Sequence, residues 1–112
     1  MDYLDYIGTP YDDAHDCYWL VRSAAGELRG VKLPEKPMGW RRYGKTIDWP
    51  TDVSTGDLIF MSSNELGMTD HVGIAISETD FLHASKIHGQ VICEPVRKYS
   101  ARIVSIGKFH DS

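Results

Sequence analysis

The feature that most constrains this fold is a change of hydrophobic period along the chain. Between residues 17 and 28, apolar side chains recur at spacings of one, three and four residues, which indicates one amphipathic helix. Asp16 is placed to cap the start of this helix, and Gly26 or Gly30 to end it. Short strand-like runs follow at residues 57–61, 71–76, 81–84, 90–93 and 103–106. One helix followed by about five short strands predicts an α+β fold, with the helix packed on an antiparallel sheet.

The segment between these two regions, residues 29–55, follows neither period. Prolines and glycines interrupt it at Pro34, Pro37, Gly39, Gly44 and Pro50. It also carries most of the basic residues in the first half of the chain. We therefore expect a surface loop that contains at most one short helix.

The size and charge of the chain exclude several classes of protein. Its 112 residues, 42% of them hydrophobic, suffice for one compact domain over residues 1–112 but not for two. A formal net charge of −4 argues against a nucleic-acid binder that depends on phosphate neutralisation. No apolar run approaches the roughly 20 residues that cross a bilayer, so no membrane span is expected. The N-terminus is acidic where a signal peptide is basic, so we expect synthesis in the cytoplasm with both cysteines as free thiols.

Cys17 is a candidate nucleophile because it falls in the first turn of the predicted helix. Unpaired backbone N–H groups and the helix dipole at that end lower a thiol pKa below its free value of about 8.5. The carboxylates of Asp12, Asp13 and Asp16 oppose this effect by like-charge repulsion. For a lone helical cysteine, packing against the sheet is the commoner role. Cys93, in an apolar strand, is interpreted as packing of this kind.

Two histidines lie in a predicted hairpin that spans residues 71–85. Strand alternation places His71 and His83 on the same face, opposite the apolar set. A turn centred near residue 77 would set the two imidazoles across from each other, close enough for a hydrogen bond. Gly73 and Ala75 share that face, and their small side chains leave room for a helix N-terminus to approach.

These residues supply the parts that a cysteine nucleophile needs. Cys17 is the candidate nucleophile, His71 the general base and later the general acid, and His83 the group that orients His71. Backbone N–H groups at the start of the helix are candidate donors to an oxyanion. The aromatic side chains of Trp19, Trp40, Trp49 and Tyr43 are candidates to line a groove, although helical phase favours a core position for Trp19.

A metal site is the main chemical alternative. The nitrogen and sulfur atoms that zinc prefers are available on His15, Cys17, His71, His83 and His88. However, the chain contains neither a Cys-x-x-Cys nor a His-x-x-x-His pair. We therefore expect no metal and no cofactor.

Several blocks of sequence occur in the order and spacing of a known family. They are Pro10-Tyr11, Asp16-Cys17 with Leu20-Val21, Gly56-Asp57-Leu58-Ile59-Phe60, His71-Val72-Gly73-Ile74 and Phe81-Leu82-His83-Ala84-Ser85. This joint pattern resembles the NlpC-type cysteine peptidases, papain-like endopeptidases of the bacterial cell wall. Residues 16–22, 31–34 and 102–109 more narrowly resemble the phage tail-associated branch of that family.

The resemblance implies hydrolysis of a peptide bond in the peptidoglycan stem peptide, typically between γ-D-glutamate and a diamino acid. It matches Cys17, His71 and His83 to the family triad, and gives Tyr11 and Asp16 to the subsite that receives the stem peptide. The chain departs from many members at Tyr18-Trp19, where they have Ser-Gly.

The same resemblance implies a site of action. The protein would be made in the host cytoplasm without a signal peptide and act at the bacterial cell wall, associated with a virion and with tail proteins as partners. Two alternatives remain open: a catalytically silent module of tail assembly, and a secreted antibacterial effector that acts as a cell-wall amidase.

Overall fold

The computed structural model describes residues 2–63 and 69–110. Over these residues the chain forms one α-helix, α1 (Cys17–Arg29), and six strands. The strands are β1 (Gly44–Asp48), β2 (Leu58–Met61), β3 (His71–Ala75), β4 (Asp80–Ser85), β5 (Gln90–Pro95) and β6 (Ile103–Phe109). Three short 3₁₀ turns lie at Tyr3–Tyr6, Trp40–Arg42 and Val96–Tyr99.

The six strands form one antiparallel sheet in the order β1-β6-β2-β3-β4-β5. The predicted α+β class and the five predicted strands are confirmed, but a sixth strand was missed. β1 lies inside residues 29–55, which were expected to form a loop, and all five of its residues pair with β6. Its sequence, Gly-Lys-Thr-Ile-Asp, has a single large apolar side chain, so the strand owes its existence to pairing rather than to a hydrophobic pattern.

Helix α1 begins and ends where the sequence indicates. The Asp16 carboxylate accepts a hydrogen bond from the Trp19 backbone N–H at 2.9 Å, which satisfies one of the unpaired donors of the first turn. Gly30 ends the helix in the left-handed region at φ +69°, where a residue without Cβ is favoured. Gly26, the other candidate, lies within the helix.

The helix packs on one face of the sheet, against β3 and β4. The buried residues of this interface are Leu20, Val21 and Ala24 from α1, Val72 and Ile74 from β3, and Leu82 and Ala84 from β4. These strand residues are the apolar face predicted from alternation. A second buried cluster covers the other face, with Ala75 and Phe81 packed among Ile59, Val96, Ile103 and Ile106.

The second cluster corrects the role expected for Gly73. This residue was expected to leave room for the helix, but α1 packs on the opposite face of β3. A Cβ at Gly73 would lie 2.7 Å from the Phe81 ring and 2.6 Å from the Leu82 carbonyl oxygen. The glycine therefore admits the neighbouring strand β4 and its aromatic ring, because both faces of the sheet are covered.

Candidate active site

Cys17 is the first residue of α1 and is half-buried. Burial raises the pKa of its thiol, and the Asp16 carboxylate adds to the rise. Backbone N–H groups of Val72, Tyr18 and Cys17 itself oppose this by hydrogen bonding to the sulfur. The expected lowering of the pKa by the helix N-terminus is therefore outweighed, chiefly by desolvation. The thiol is protonated at neutral pH and needs a base.

The two histidines form the predicted contact. His71 Nε2 lies 2.9 Å from His83 Nδ1, and the rings meet at an interplanar angle of 78°. The register differs from the expected one, because Ile74 pairs with Leu82 and Ala75 with Phe81. The hairpin is thus centred one residue further along the chain, and the histidines are diagonal neighbours rather than direct partners.

The surroundings of His71 keep its ring neutral. Burial, together with the positive charge that His83 or Arg102 can carry, lowers the pKa of His71 to about 4. The carboxylate of Asp70 opposes this shift in part. At neutral pH a nitrogen of His71 is therefore available to accept a proton.

His83 is held on every side by β4, β5 and the turn that follows them. Its ring stacks on Phe81 at 4.8 Å between centroids, and Tyr99 meets it edge-on at 5.3 Å. Its Nε2 lies 2.8 Å from Glu94 Oε1. Burial lowers the pKa of His83, and the hydrogen bond with Glu94 opposes that shift.

Glu94 is the site residue that sequence reasoning missed. It is buried, and besides His83 it accepts hydrogen bonds from the Tyr99 hydroxyl at 2.6 Å and from the Lys98 ammonium. The sequence signal that could have found it is a glutamate directly after the apolar residues of a predicted strand. In the structure β5 continues to Pro95, and the Glu94 side chain points inward. Cys93, expected to be core packing, is exposed instead, because alternation along β5 turns it away from Glu94.

Two clefts meet at Cys17 and His71. The apolar cleft has a volume of about 370 Å³ and is lined by Leu33, Pro34, Met38, Trp40, Tyr43 and Phe60. The polar cleft has a volume of about 350 Å³ and is lined by Tyr11, Ser62, Ser63, Lys86, His88 and Arg102. Both clefts also include Cys17, Asp70 and His71, so a chain that runs from one to the other passes over the thiol. Of the aromatic groove candidates, Trp40 and Tyr43 line the apolar cleft, whereas Trp49 lines neither of these two clefts and Trp19 packs against the buried core.

The two candidate subsite residues are placed differently. Tyr11 lines the polar cleft beside Cys17, and its backbone N–H donates to the Gly89 carbonyl at 2.9 Å. The Gly8 N–H donates to the Val91 carbonyl, and the Val91 N–H donates to the Thr9 carbonyl, both at 2.9 Å. Residues 8–11 therefore run along the outer edge of β5. Asp16 lies next to Cys17, but one of its oxygens caps the helix and it is not among the residues that line either cleft.

The five candidate zinc ligands do not form one metal-binding group. His15 Nδ1 bonds to Asp12 at 2.9 Å, and His88 Nδ1 bonds to the Ser85 hydroxyl at 2.8 Å. Among the residues that the structure describes, no three His, Cys, Asp or Glu side chains are grouped so as to hold a metal ion. Within residues 2–63 and 69–110, no helix is both long and apolar enough to cross a membrane.

Residues 6–106 match the model of the NlpC/P60 family, and the chain belongs to that family. It is 30% identical over 106 residues to the probable endopeptidase NlpC homolog of Haemophilus influenzae, covering 89% of this chain and 55% of that protein. It is 32% identical over 96 residues to the murein DD-endopeptidase MepS/murein LD-carboxypeptidase of Escherichia coli, covering 80% of this chain and 50% of that protein. The chain thus spans about half the length of these relatives.

The fold is shared with solved structures of the family. The NlpC/p60 domain of the peptidoglycan hydrolase SagA superimposes with a TM-score of 0.74 at 24% sequence identity. The match covers 95% of this chain and 92% of that one. The arrangement of one helix on the antiparallel sheet is therefore the NlpC/P60 fold.

Proposed function

We propose that this protein is a cysteine endopeptidase that hydrolyses peptide bonds in the peptidoglycan stem peptide. The observation that carries the proposal is the placement of Cys17 and His71 where two clefts meet, with His71 hydrogen-bonded to His83. Family membership supports it, as do the names of the Haemophilus and Escherichia relatives, a probable endopeptidase and a murein DD-endopeptidase. We assign Cys17, His71 and His83 the roles of nucleophile, base and orienting group that the sequence predicts for them.

The proposed reaction uses the neutral thiol and neutral imidazole as found. His71 takes the proton of Cys17 as the sulfur attacks the carbonyl carbon of the scissile bond, and a tetrahedral oxyanion forms. His71 then gives that proton to the leaving amine as the C–N bond breaks, which leaves a thioester on Cys17. Water attacks the thioester with His71 again as base, and the carboxylic acid and free thiol are released.

The polar cleft suits the charged part of a stem peptide. Lys86 and Arg102 line it, and a γ-linked glutamate carries a free α-carboxylate that such cations attract. We infer that the scissile bond is the γ-D-glutamyl–diamino acid bond, with Tyr11 contributing to the stem-peptide subsite in the polar cleft. Asp16 lines neither cleft and contributes by capping the helix that carries Cys17.

The test is digestion of purified peptidoglycan followed by mass analysis of the released fragments. The wild-type protein should release fragments cut within the stem peptide, and Cys17→Ala should release none. Cys93→Ala is the matched control, because Cys93 is exposed and should be dispensable. Equal release by Cys17→Ala would refute the proposal, and fragments cut between sugar and peptide would favour the amidase alternative.

We further propose delivery by a phage or prophage tail after synthesis in the host cytoplasm. The support is the resemblance of residues 16–22, 31–34 and 102–109 to compact tail proteins. Detection of the protein by antibody in purified virions would agree with this, and its detection only in the medium of uninfected cells would contradict it. A silent tail-assembly module would be indicated if virions contained the protein but Cys17→Ala virions digested the wall equally well.

A further inference from the structure

A series of hydrogen bonds connects the candidate base, His71, to the buried carboxylate of Glu94 on the edge strand β5. His71 Nε2 lies 2.9 Å from His83 Nδ1, and His83 Nε2 lies 2.8 Å from Glu94 Oε1. The side chains of His83 and Glu94 are only 5% and 9% exposed, so water cannot freely replace these contacts. The polar atoms of His83 and Glu94 must therefore be satisfied by protein donors and acceptors.

The Glu94 carboxylate determines which nitrogen of each histidine carries the hydrogen. An ionised carboxylate only accepts, so the Nε2 of His83 must carry the hydrogen that faces Glu94. A neutral imidazole has one N–H, which makes His83 Nδ1 an acceptor. His71 Nε2 must then carry its own hydrogen and donate it to His83. The Nδ1 of His71 is left with a free lone pair.

We propose that Glu94 is a positioning residue of the active site, which fixes the tautomers of both histidines so that His71 Nδ1 is the atom that accepts the Cys17 proton. This inference rests on the proposed function for its kinetic consequence but not for the proton arrangement itself. When His71 is protonated during turnover, the carboxylate also offsets the positive charge through His83.

Three neighbours keep Glu94 ionised. Burial alone would raise the pKa of its carboxyl, but hydrogen bonds from Lys98, Tyr99 and His83 outweigh burial and lower the pKa to about 2. Lys98 comes from the 3₁₀ turn directly after β5 and is 56% exposed. It can therefore be removed by mutation with little effect on the core.

The other charged groups around the two rings have to be included in any pH argument. His71 is faced by Asp70 from its own segment, by Arg102 from the segment before β6 and by Cys17 from α1. His83 is faced by Glu94, His88 and Lys98. Glu94→Gln and Lys98→Met each change only one of these groups, so a shift in the pKa of the histidines can be assigned to the mutated side chain.

Glu94→Gln and Lys98→Met should shift the acid limb of the pH profile of kcat/KM in opposite directions. Glu94→Gln keeps an oxygen for His83 and Tyr99 but loses the negative charge, so the histidine pKa falls and the limb moves to lower pH. Lys98→Met removes a positive charge near the same pair, so the limb moves to higher pH by a smaller amount. At pH 7, Glu94→Gln should lower kcat by about tenfold or more with KM nearly unchanged. A purely structural role for Glu94 would give no opposed shifts, and that result would overturn the proposal.

Imidazole nitrogen NMR tests the proton arrangement without any substrate. Spectra of ¹⁵N-labelled Cys17→Ala at neutral pH should show both His71 and His83 protonated on Nε2 and not on Nδ1. Glu94→Leu in the same background removes the acceptor, and His83 should shift toward protonation on Nδ1, with Glu94→Gln as the folded control. Unchanged tautomers in Glu94→Leu would overturn the proposal even if peptidoglycan cleavage is confirmed. Failure to cleave peptidoglycan would instead refute the proposed function and leave this result interpretable.

Discussion

His71 and His83 form a 2.9 Å imidazole contact although they are not direct partners in the β3–β4 hairpin. Direct ladder partners place their side chains side by side, whereas diagonal partners lie further apart and need long side chains to touch. The His71 and His83 rings span that diagonal, which turns Nε2 of one toward Nδ1 of the other. A shorter side chain at either position would leave the other ring without this partner.

Replacement of His83 should therefore affect both activity and stability. His83→Ala removes the group that orients His71, and kcat for stem-peptide cleavage should fall by about 10²-fold or more. It also leaves the buried carboxylate of Glu94 without one of its donors, which should destabilise the fold by about 1–3 kcal/mol. Urea unfolding and fragment release measure the two effects. The double variant His83→Ala/Glu94→Leu should recover part of the stability but none of the activity.

The reactivity of the Cys17 thiol should depend on His71. Because burial raises the pKa of Cys17, its reaction with iodoacetamide at pH 7 should rely on proton transfer to the imidazole. We expect His71→Ala to slow labelling of Cys17 by about tenfold or more while the exposed Cys93 reacts at its wild-type rate. Peptide mass analysis after timed labelling separates the two sites. Equal labelling of Cys17 in both proteins would show that His71 does not act on the thiol.

Stability should decline on mild acidification. The pKa of His71 is lowered from 6.5 to about 4 in the fold, so the unfolded chain takes up its proton first as the pH falls. Stability from this group is complete above pH 6.5 and is lost between pH 6.5 and 4, by up to about 3 kcal/mol. Glu94, with its pKa lowered from 4.5 to about 2, adds a further loss between pH 4.5 and 2. Thermal melts at successive pH values check this, and His71→Phe should flatten the upper part of the curve.

Gly73 and Gly26 provide a matched pair of glycine substitutions. Gly73→Ala forces a Cβ to within 2.7 Å of the Phe81 ring and 2.6 Å of the Leu82 carbonyl oxygen, and should cost about 1–3 kcal/mol. At Gly26, inside α1 and exposed, the nearest atom to a Cβ is 4.0 Å away. Gly26→Ala should therefore stabilise the protein by about 0.5–1 kcal/mol, through helix propensity. Free energies from urea unfolding test both, and a neutral Gly73→Ala would show that β4 can shift.

Local signals in the sequence were sufficient for the elements that carry the histidines and the cysteine. Capping by Asp16, termination by Gly30 and the alternation through β3 and β4 are all decided within a few residues. What the sequence missed depends on distant pairing. β1 exists because β6 lies beside it, and the inward turn of Glu94 is meaningful only once His83 on the neighbouring strand is known to face it.

The site shows the same division. The contact between the histidines follows from hairpin alternation. Its diagonal geometry depends on which residues form the turn, and the run of polar residues between the two strands is compatible with more than one turn position. The direction of the Cys17 pKa shift could not be predicted either. The shift depends mainly on how deeply the neighbouring elements bury the thiol, and the charges of nearby residues in the sequence do not reveal this burial.

The path of residues 8–11 along the outer edge of β5 has a consequence for solubility as well as for the site. β5 is the last strand of the sheet, and such a strand offers unpaired amides to which another molecule can add. Gly8, Thr9 and Tyr11 use the amides and carbonyls of Gly89 and Val91, so this stretch of edge is closed by the molecule's own chain. The same hydrogen bonds fix Tyr11 beside the thiol. Protection against aggregation and the shape of the polar cleft are therefore properties of one short segment, and a mutation that frees it should impair both together.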